Sequence, residues 1–320
     1  MEYGQLGRSG VEVSRLILGT MNFGRHTTEE DSFEILDTAL DHGVNFIDTA
    51  DVYGPNGLTE EIVGRWLQAR PAARDQVVLA TKVFGKVGEG RNDRGLSAFH
   101  IRRAVEGSLR RLQVDHIDLY QFHHIDRRVP WEEIWTAIDV LIDQGKISYT
   151  GSSNFAGWNI AEAQVLRQNQ HRLGLVSEQS LYNLVARDVE REVLPAAQRF
   201  GVSVIAWSPL HAGLLAGSSL RGEGTTRRDA DRTGQKRGAS PERIDRLSAL
   251  AEELDTTAAI LSLSWLLHQP GVLGPIIGPR TLEHLTSAFD AFDLQLDEAT
   301  LPALDEIFPA FGAAPEAYAW

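Results

Sequence analysis

The sequence predicts an α/β protein built as a (β/α)8 TIM barrel, with an N-terminal β-hairpin cap and an extra C-terminal helix. Three observations carry this. Short runs rich in Val, Ile and Leu recur eight times, each followed by a longer amphipathic stretch, the mark of parallel βα units. The runs are spaced by roughly 35 residues on average, close to one unit, and eight units close a barrel. No linker divides the chain, so 1–320 reads as one domain. A doubly wound open sheet, the competing architecture, usually holds fewer strands, and GxGxxG and GxxxxGKS/T are both absent.

Taken in order, Tyr3-Gly4 and Val11–Val13 flank a Gly-rich turn and predict a small hairpin over the barrel floor. The strand runs are Arg15–Leu18, Asn45–Ile47, Val77–Thr81, Ile117–Phe122, Ile147–Gly151, Leu175–Glu178, Val202–Trp207 and Val272–Ile277. Thr28 and Thr59 precede acidic residues suited to a first helical turn, and His42-Gly43 and Gln144-Gly145 end helices. Two segments break the pattern. Residues 208–240 predict a long mobile loop after the seventh run; within it Leu220–Gly238 is almost free of apolar residues and holds six Arg or Lys against three Asp or Glu. That cationic excess suits a clamp closing over a bound anion. Asp297–Trp320 predicts a short helix and an aromatic tail.

Composition narrows the function. The 320 residues carry 31 Lys and Arg against 44 Asp and Glu, a formal charge of −13, which argues against nucleic acid as a partner. With 42% hydrophobic and 23% charged residues, the chain has the balance of a globular protein with a sizeable core. There is no cysteine, so disulfides, thiolate nucleophiles and Cys-ligated metals are excluded together. The start, MEYGQLGRSG, lacks the apolar core of a secretory signal, and the best apolar stretch, Ala258–Leu267, is too short to span a bilayer. The expectation is a cytoplasmic protein with no membrane partner.

In such a barrel the loops leaving the C-terminal strand ends carry the site. Polar residues just after the runs are Asp48, Asp51 and Tyr53; Lys82; His123 and His124; Ser152, Ser153 and Asn154; Glu178 and Gln179; Trp207 and Ser208. A carboxylate, a phenol, an ammonium and an imidazole on adjacent strand ends suit proton transfer to a carbonyl oxygen as a hydride reaches its carbon. A free tyrosine titrates near 10, too high for easy acid–base work at neutral pH. A lysine charge about 4 Å away at an effective dielectric near 20 is worth about 4 kcal/mol, which brings the phenol toward working range against desolvation. In this reading Asp48 holds Lys82 charged and His123 orients the carbonyl oxygen.

The strings GVNFIDTADVYG (43–54), LATK (79–82), IDLYQFHHID (117–126), GSSNF (151–155), QSLYN (179–183), AWSPLHAGLL (206–215) and PIIGPR (275–280) resemble aldo-keto reductases in order and spacing, across essentially the whole chain. The resemblance implies a catalytic tetrad of Asp48, Tyr53, Lys82 and His123, with Tyr53 the acid in carbonyl reduction and the base in alcohol oxidation. It implies a nicotinamide dinucleotide lying extended across the barrel mouth without a Rossmann loop. Thr20, Met21 and Asp48 fall beside that cofactor, Ser153, Asn154 and Gln179 at its carboxamide, and Trp207 on its ring. Ser208, Leu210 and Gly213 fall under the pyrophosphate; Gly278, Arg280 and His284 at the adenosine phosphate, where a helix opens. Many relatives carry Lys at the place of Gly278 and Asn at that of Ala288. Arg280 still offers a charge for a 2′-phosphate, so NADPH is expected over NADH.

Each of these residues has a plainer reading. Asp48 alone suits a helix cap, Tyr53 a rim aromatic, Ser153 and Asn154 a cap for a helix near Gly157, and Trp207 packing. Joint placement favours the catalytic reading. His123, His124 and Asp126 admit a metal site, but adjacent strand residues face opposite sides, and no metal is expected. Phe23, Phe84 and His124 are expected to line the substrate side, favouring a bulky or aromatic carbonyl compound over a highly charged one. The alternatives are a nucleotide-sensing interaction subunit with vestigial turnover and a metal-dependent hydrolase.

Overall fold

The computed structural model describes residues 1–216 and 240–319. A two-stranded antiparallel hairpin, β1 (Tyr3–Gln5) and β2 (Glu12–Ser14), precedes eight parallel strands: β3 (Ile17–Gly19), β4 (Phe46–Asp48), β5 (Val78–Val83), β6 (Ile117–Phe122), β7 (Ile147–Ser153), β8 (Leu175–Leu181), β9 (Ser203–Trp207) and β10 (Val272–Ile277). These close in sequence order, β10 pairing back onto β3, so every expected strand is present and the sheet has no edge.

Between successive strands lie α1 (Glu29–Asp41), α2 (Leu58–Ala69), α3 (Ala98–Leu112), α4 (Trp131–Asp143), α5 (Gly157–Asn169) and α6 (Val193–Phe200). Two helices, α7 (Pro241–Glu253) and α8 (Ala258–Leu267), lie between β9 and β10. After β10 come α9 (Leu282–Phe289), α10 (Thr300–Ile307) and a short α11 (Glu316–Ala319). Among the described residues no helix is long and apolar enough to cross a membrane. Thr28 caps α1 through its hydroxyl, and His42 and Gln144 close α1 and α4 before Gly43 and Gly145 in the left-handed region. Thr59 does not cap: it lies inside α2, and its hydroxyl donates to the Phe23 carbonyl at 3.0 Å. Gly57 takes the position before α2, at φ 80°. Of the loop expected over 208–240, residues 208–216 form a turn and a 3-10 stretch, His211–Ala216; residues 217–239, with the expected clamp, lie outside the described residues.

Strand alternation separates two apolar layers. Side chains such as Trp66, Tyr120, Phe122, Trp135 and Trp265 fill the space between strands and helices. Inside the barrel a second cluster, including Phe46, Ala80, Leu119 and Ile205, fills the N-terminal half, and Leu6 and Val13 of the hairpin plug it from below. The plug depends on Gly7. Its φ is +58°, and a Cβ there would lie 2.2 Å from the Val176 carbonyl oxygen, while its N–H donates to Ser203 Oγ at 2.8 Å. Gly7→Ala is therefore expected to destabilise the protein by about 2–4 kcal/mol, read as an earlier midpoint in urea unfolding. An unchanged midpoint would mean that the hairpin can lift away from the floor at no cost.

Candidate active site

The apolar filling stops at one level. On β4 the inward positions run Phe46 then Asp48, on β5 Ala80 then Lys82, and on β6 Leu119, Gln121, then His123. Polar groups thus collect at the C-terminal end of the barrel, where strand alternation alone delivers them to one another.

Lys82 is fully buried at the centre. Its ammonium pairs with Asp48 Oδ2, donates to the Thr49 carbonyl at 2.8 Å, and lies 3.3 Å from the Tyr53 hydroxyl. Burial alone would lower the Lys82 pKa, but the Asp48 charge, followed by Tyr53, outweighs it and the net direction is up. The ammonium is therefore charged at neutral pH. The other oxygen of Asp48 accepts from Gln121 Nε2 at 2.8 Å and Gln179 Nε2 at 3.0 Å, so both carboxylate oxygens are used. Gln121 escaped the sequence reading, although its place two residues before His123 on the same strand face was a usable signal. Thr20, fully buried, closes this floor with its N–H and hydroxyl both 3.0 Å from the Asp48 carbonyl, beside the half-buried Met21.

His123 meets the Tyr53 ring edge-on, with centroids 5.7 Å apart. Burial first, then the charges of Lys82 and His124, hold its pKa down to about 3, so the imidazole is neutral across the working range. His124 turns the other way: it is exposed, and its ring lies against Phe84 with centroids 5.4 Å apart. Asp126 is engaged in holding the Leu96 N–H and the Arg128 side chain. Among the described residues no three His or carboxylate side chains gather as a metal site would require. Phe23 does not join Phe84 and His124; it is fully buried in the outer apolar layer and offers no surface to a ligand. Asp51 is set behind the strand ends. Burial, then the Glu60 charge, push its pKa well up, and neither of its oxygens has a partner.

Above this floor, Ser153 Oγ donates to the Gln179 carbonyl at 2.8 Å rather than capping α5. Asn154, at φ 61°, donates through Nδ2 to the His123 carbonyl at 3.2 Å and accepts from Trp207 Nε1 at 3.1 Å. A half-buried indole is thus held at the rim by an amide belonging to the next strand but one. Across the mouth, Ser208 (φ 54°) and Gly213 (φ 92°) bend the chain after β9, with Leu210 between them. Gly278 is exposed, its carbonyl bound by Asn22 at 2.6 Å, and Thr27 holds the Arg280 carbonyl at 3.2 Å. Thr281 then caps α9, with Arg280 just before the cap and His284 in the first turn.

The sequence profile of the Aldo/keto reductase family matches residues 15–308. The chain belongs to this family. An uncharacterized oxidoreductase of Bacillus subtilis (strain 168), YrpG, is 49% identical over 330 residues, covering all of both chains. A versiconal hemiacetal acetate reductase of Aspergillus parasiticus is 33% identical, covering 96% of each chain. A protein of Arabidopsis thaliana named "Probable voltage-gated potassium channel subunit beta" is also 33% identical, over 99% of this chain and all of its own. Sequence likeness to this chain is thus shared by proteins named for oxidoreduction and by proteins named as channel subunits.

The buried pair gives a prediction independent of turnover. Lys82→Met leaves the Asp48 carboxylate buried without its cation and is expected to cost about 3–5 kcal/mol in urea unfolding. Adding Asp48→Asn to that variant removes the stranded charge and is expected to restore more than half of the loss. If the double variant is no more stable than Lys82→Met alone, the charges do not act as a pair.

Proposed function

We propose that the protein is an NADPH-dependent oxidoreductase that interconverts an aldehyde or ketone and its alcohol, with Tyr53 as proton donor in reduction and acceptor in oxidation. The observation that carries this reading is the placement of Lys82 Nζ between the Asp48 carboxylate and the Tyr53 hydroxyl, 3.3 Å from the latter.

The residues at the mouth suit a nicotinamide dinucleotide. Ser153, Asn154 and Gln179 present hydroxyl and amide groups matched to a carboxamide, and the half-buried Trp207 offers a ring face. The bend at Ser208, Leu210 and Gly213 suits the pyrophosphate. Gly278, Arg280 and His284 suit a phosphate at the start of α9, where backbone N–H groups favour an anion. The Arg280 guanidinium is the group that would select a 2′-phosphate, and so NADPH. When bound, this cofactor supplies the hydride.

In reduction the Tyr53 hydroxyl gives its proton to the substrate oxygen as that oxygen gains charge. Lys82 stabilises the phenolate left behind, and Asp48 keeps Lys82 protonated and aimed. Neutral His123 donates a hydrogen bond to the carbonyl oxygen without adding a positive charge that would compete with Lys82. Phe84 and His124, whose rings meet at the rim tilted by 34°, form an aromatic wall that favours a bulky or aromatic carbonyl compound.

Tyr53→Phe should lower NADPH consumption with a panel of aldehydes by about 10²–10⁴-fold while leaving NADPH binding near normal. Full activity in that variant would refute the proton-transfer role, whereas a parent protein that binds NADPH but reduces none of the aldehydes would favour a nucleotide-sensing interaction subunit with vestigial turnover. Arg280→Ala should weaken NADPH by about 10–100-fold and NADH much less. Equal affinity for the two cofactors in the parent protein would remove the argument for NADPH.

A further inference from the structure

One buried acid takes no part in the chemistry above. Glu178 is fully buried on β8, on the face opposite Gln179. Its carboxyl gathers three donors. Ser152 Oγ donates to Oε2, and Ser180 Oγ (2.7 Å) and the Phe155 N–H (3.0 Å) donate to Oε1, while the neighbouring Asn154 N–H donates to the Gln179 carbonyl at 3.1 Å. Among the described residues none of these partners is a cation. The donors from β7 and the turn into α5 belong to one segment, Ser152–Phe155, whose Asn154 ties the His123 carbonyl to the Trp207 indole.

We propose that Glu178 is the positioning residue for the nicotinamide end of the site: its carboxylate pins Ser152–Phe155, and its protonation loosens that segment and weakens cofactor binding. The proposal rests on the cofactor reading given above.

A carboxylate accepts from all three donors with charge-assisted strength; the neutral acid directs its proton from Oε2 to Ser152 Oγ, which turns its own hydrogen to the Ser177 carbonyl at 3.3 Å, and the bonds to Oε1 weaken. The serine hydroxyls can rotate to other partners but the Phe155 N–H cannot, so the weakening falls on the turn that carries Asn154. Burial raises the Glu178 pKa to about 7, which places the change near neutral pH. The groups facing it do not titrate: Ser152 from β7, Ser180 from β8, and the amides of Asn154 and Phe155, with Val204 its register partner on β9. The charged groups of α5 are engaged elsewhere, Glu162 with Trp131 and Arg167 with Asp139. On α6, Arg199 lies over the Phe200 ring.

Linkage argues that the acid is not kept for stability. Its folded pKa lies above the unfolded value, so the folded state holds the proton longer, and stability falls as pH rises from about 4.5 to about 7. Glu178→Gln, which mimics the protonated form, is accordingly expected to fold at pH 8 without loss of stability.

The test pairs two readouts on the full chain. Amide ¹H–¹⁵N shifts of Asn154 and Phe155 are followed in cofactor-free protein from about pH 5.5 to 8.5, for wild type and Glu178→Gln. NADPH dissociation constants are measured by fluorescence over the same range. Because a phosphate monoester itself titrates near 6, the quantity read is the ratio of the Glu178→Gln constant to the wild-type constant at each pH. The expected ratio is near one at the acid end and rises to about fivefold at the alkaline end, the loss of one hydrogen bond. The wild-type amides should show one step near neutrality that Glu178→Gln removes. A flat ratio, or an amide step that persists in Glu178→Gln, overturns the proposal while leaving the cofactor reading intact. Wild-type protein that binds no NADPH overturns the cofactor reading and this proposal with it.

Discussion

The buried ion pair between Lys82 and Asp48 is the constraint on which the site depends. Removing both charges from water costs several kcal/mol per ion, and only close pairing with full hydrogen bonding offsets that cost. The surroundings meet this demand: Gln121 and Gln179 occupy the second Asp48 oxygen, and the Thr49 carbonyl takes another Lys82 proton. What remains of the ammonium's reach is directed at Tyr53. The hydrogen bonds that make the pair tolerable inside a protein therefore also leave a single direction in which its charge can act.

The fold supplies this arrangement by a change of chemistry along each strand. Inward side chains recur every second residue, about 7 Å apart, so one step along β4, β5 or β6 passes from the apolar filling to the polar floor. Below that step the hairpin and the Phe46 layer exclude water and hold the strands in register. Above it, segments from β7, β9 and β10 are tied across the mouth by side chain to backbone bonds: Asn154 to His123, Asn183 to Ser208, and Asn22 to Gly278. These loops are anchored by buried side chains such as Phe155, Leu214 and Leu215 and tied across the mouth by specific amides, which suits surfaces that must present polar groups to a ligand.

Much of this was legible in the sequence, for identifiable reasons. All eight strands stood out because a parallel barrel strand, buried on both faces, is a short apolar run bounded by turns. Asp48, Tyr53, Lys82 and His123 were legible because each lies within six residues of such a run's end. The opposed directions of His123 and His124 followed from strand alternation. Other features depend on packing that no pattern encodes. Phe23 follows a strand end, as wall residues do, yet the chain folds back through its carbonyl bond to Thr59 and buries the ring. Thr59 carried the composition of a cap, but Gly57, with its positive φ, begins the helix instead. Gln121 was hidden because a buried glutamine in an apolar run becomes meaningful only when the partner from β4 is beside it.

Glu178 and Lys82 show how burial acts in opposite ways on two charged groups of one barrel. Lys82 has a carboxylate against it, and the pair keeps the ammonium charged although desolvation opposes it. Glu178 has only neutral donors, which stabilise its charge incompletely, and desolvation prevails. The difference follows from strand parity. Lys82 points into the barrel, where Asp48 from the neighbouring strand reaches it; Glu178 points outward, where β7 offers a hydroxyl and the turn into α5 offers a backbone N–H. A partner cation on the outer face would have to come from a helix, and α5 commits Arg167 to Asp139. The inward position therefore yields a fixed charge suited to catalysis, and the outward position yields a charge that neutral pH can change.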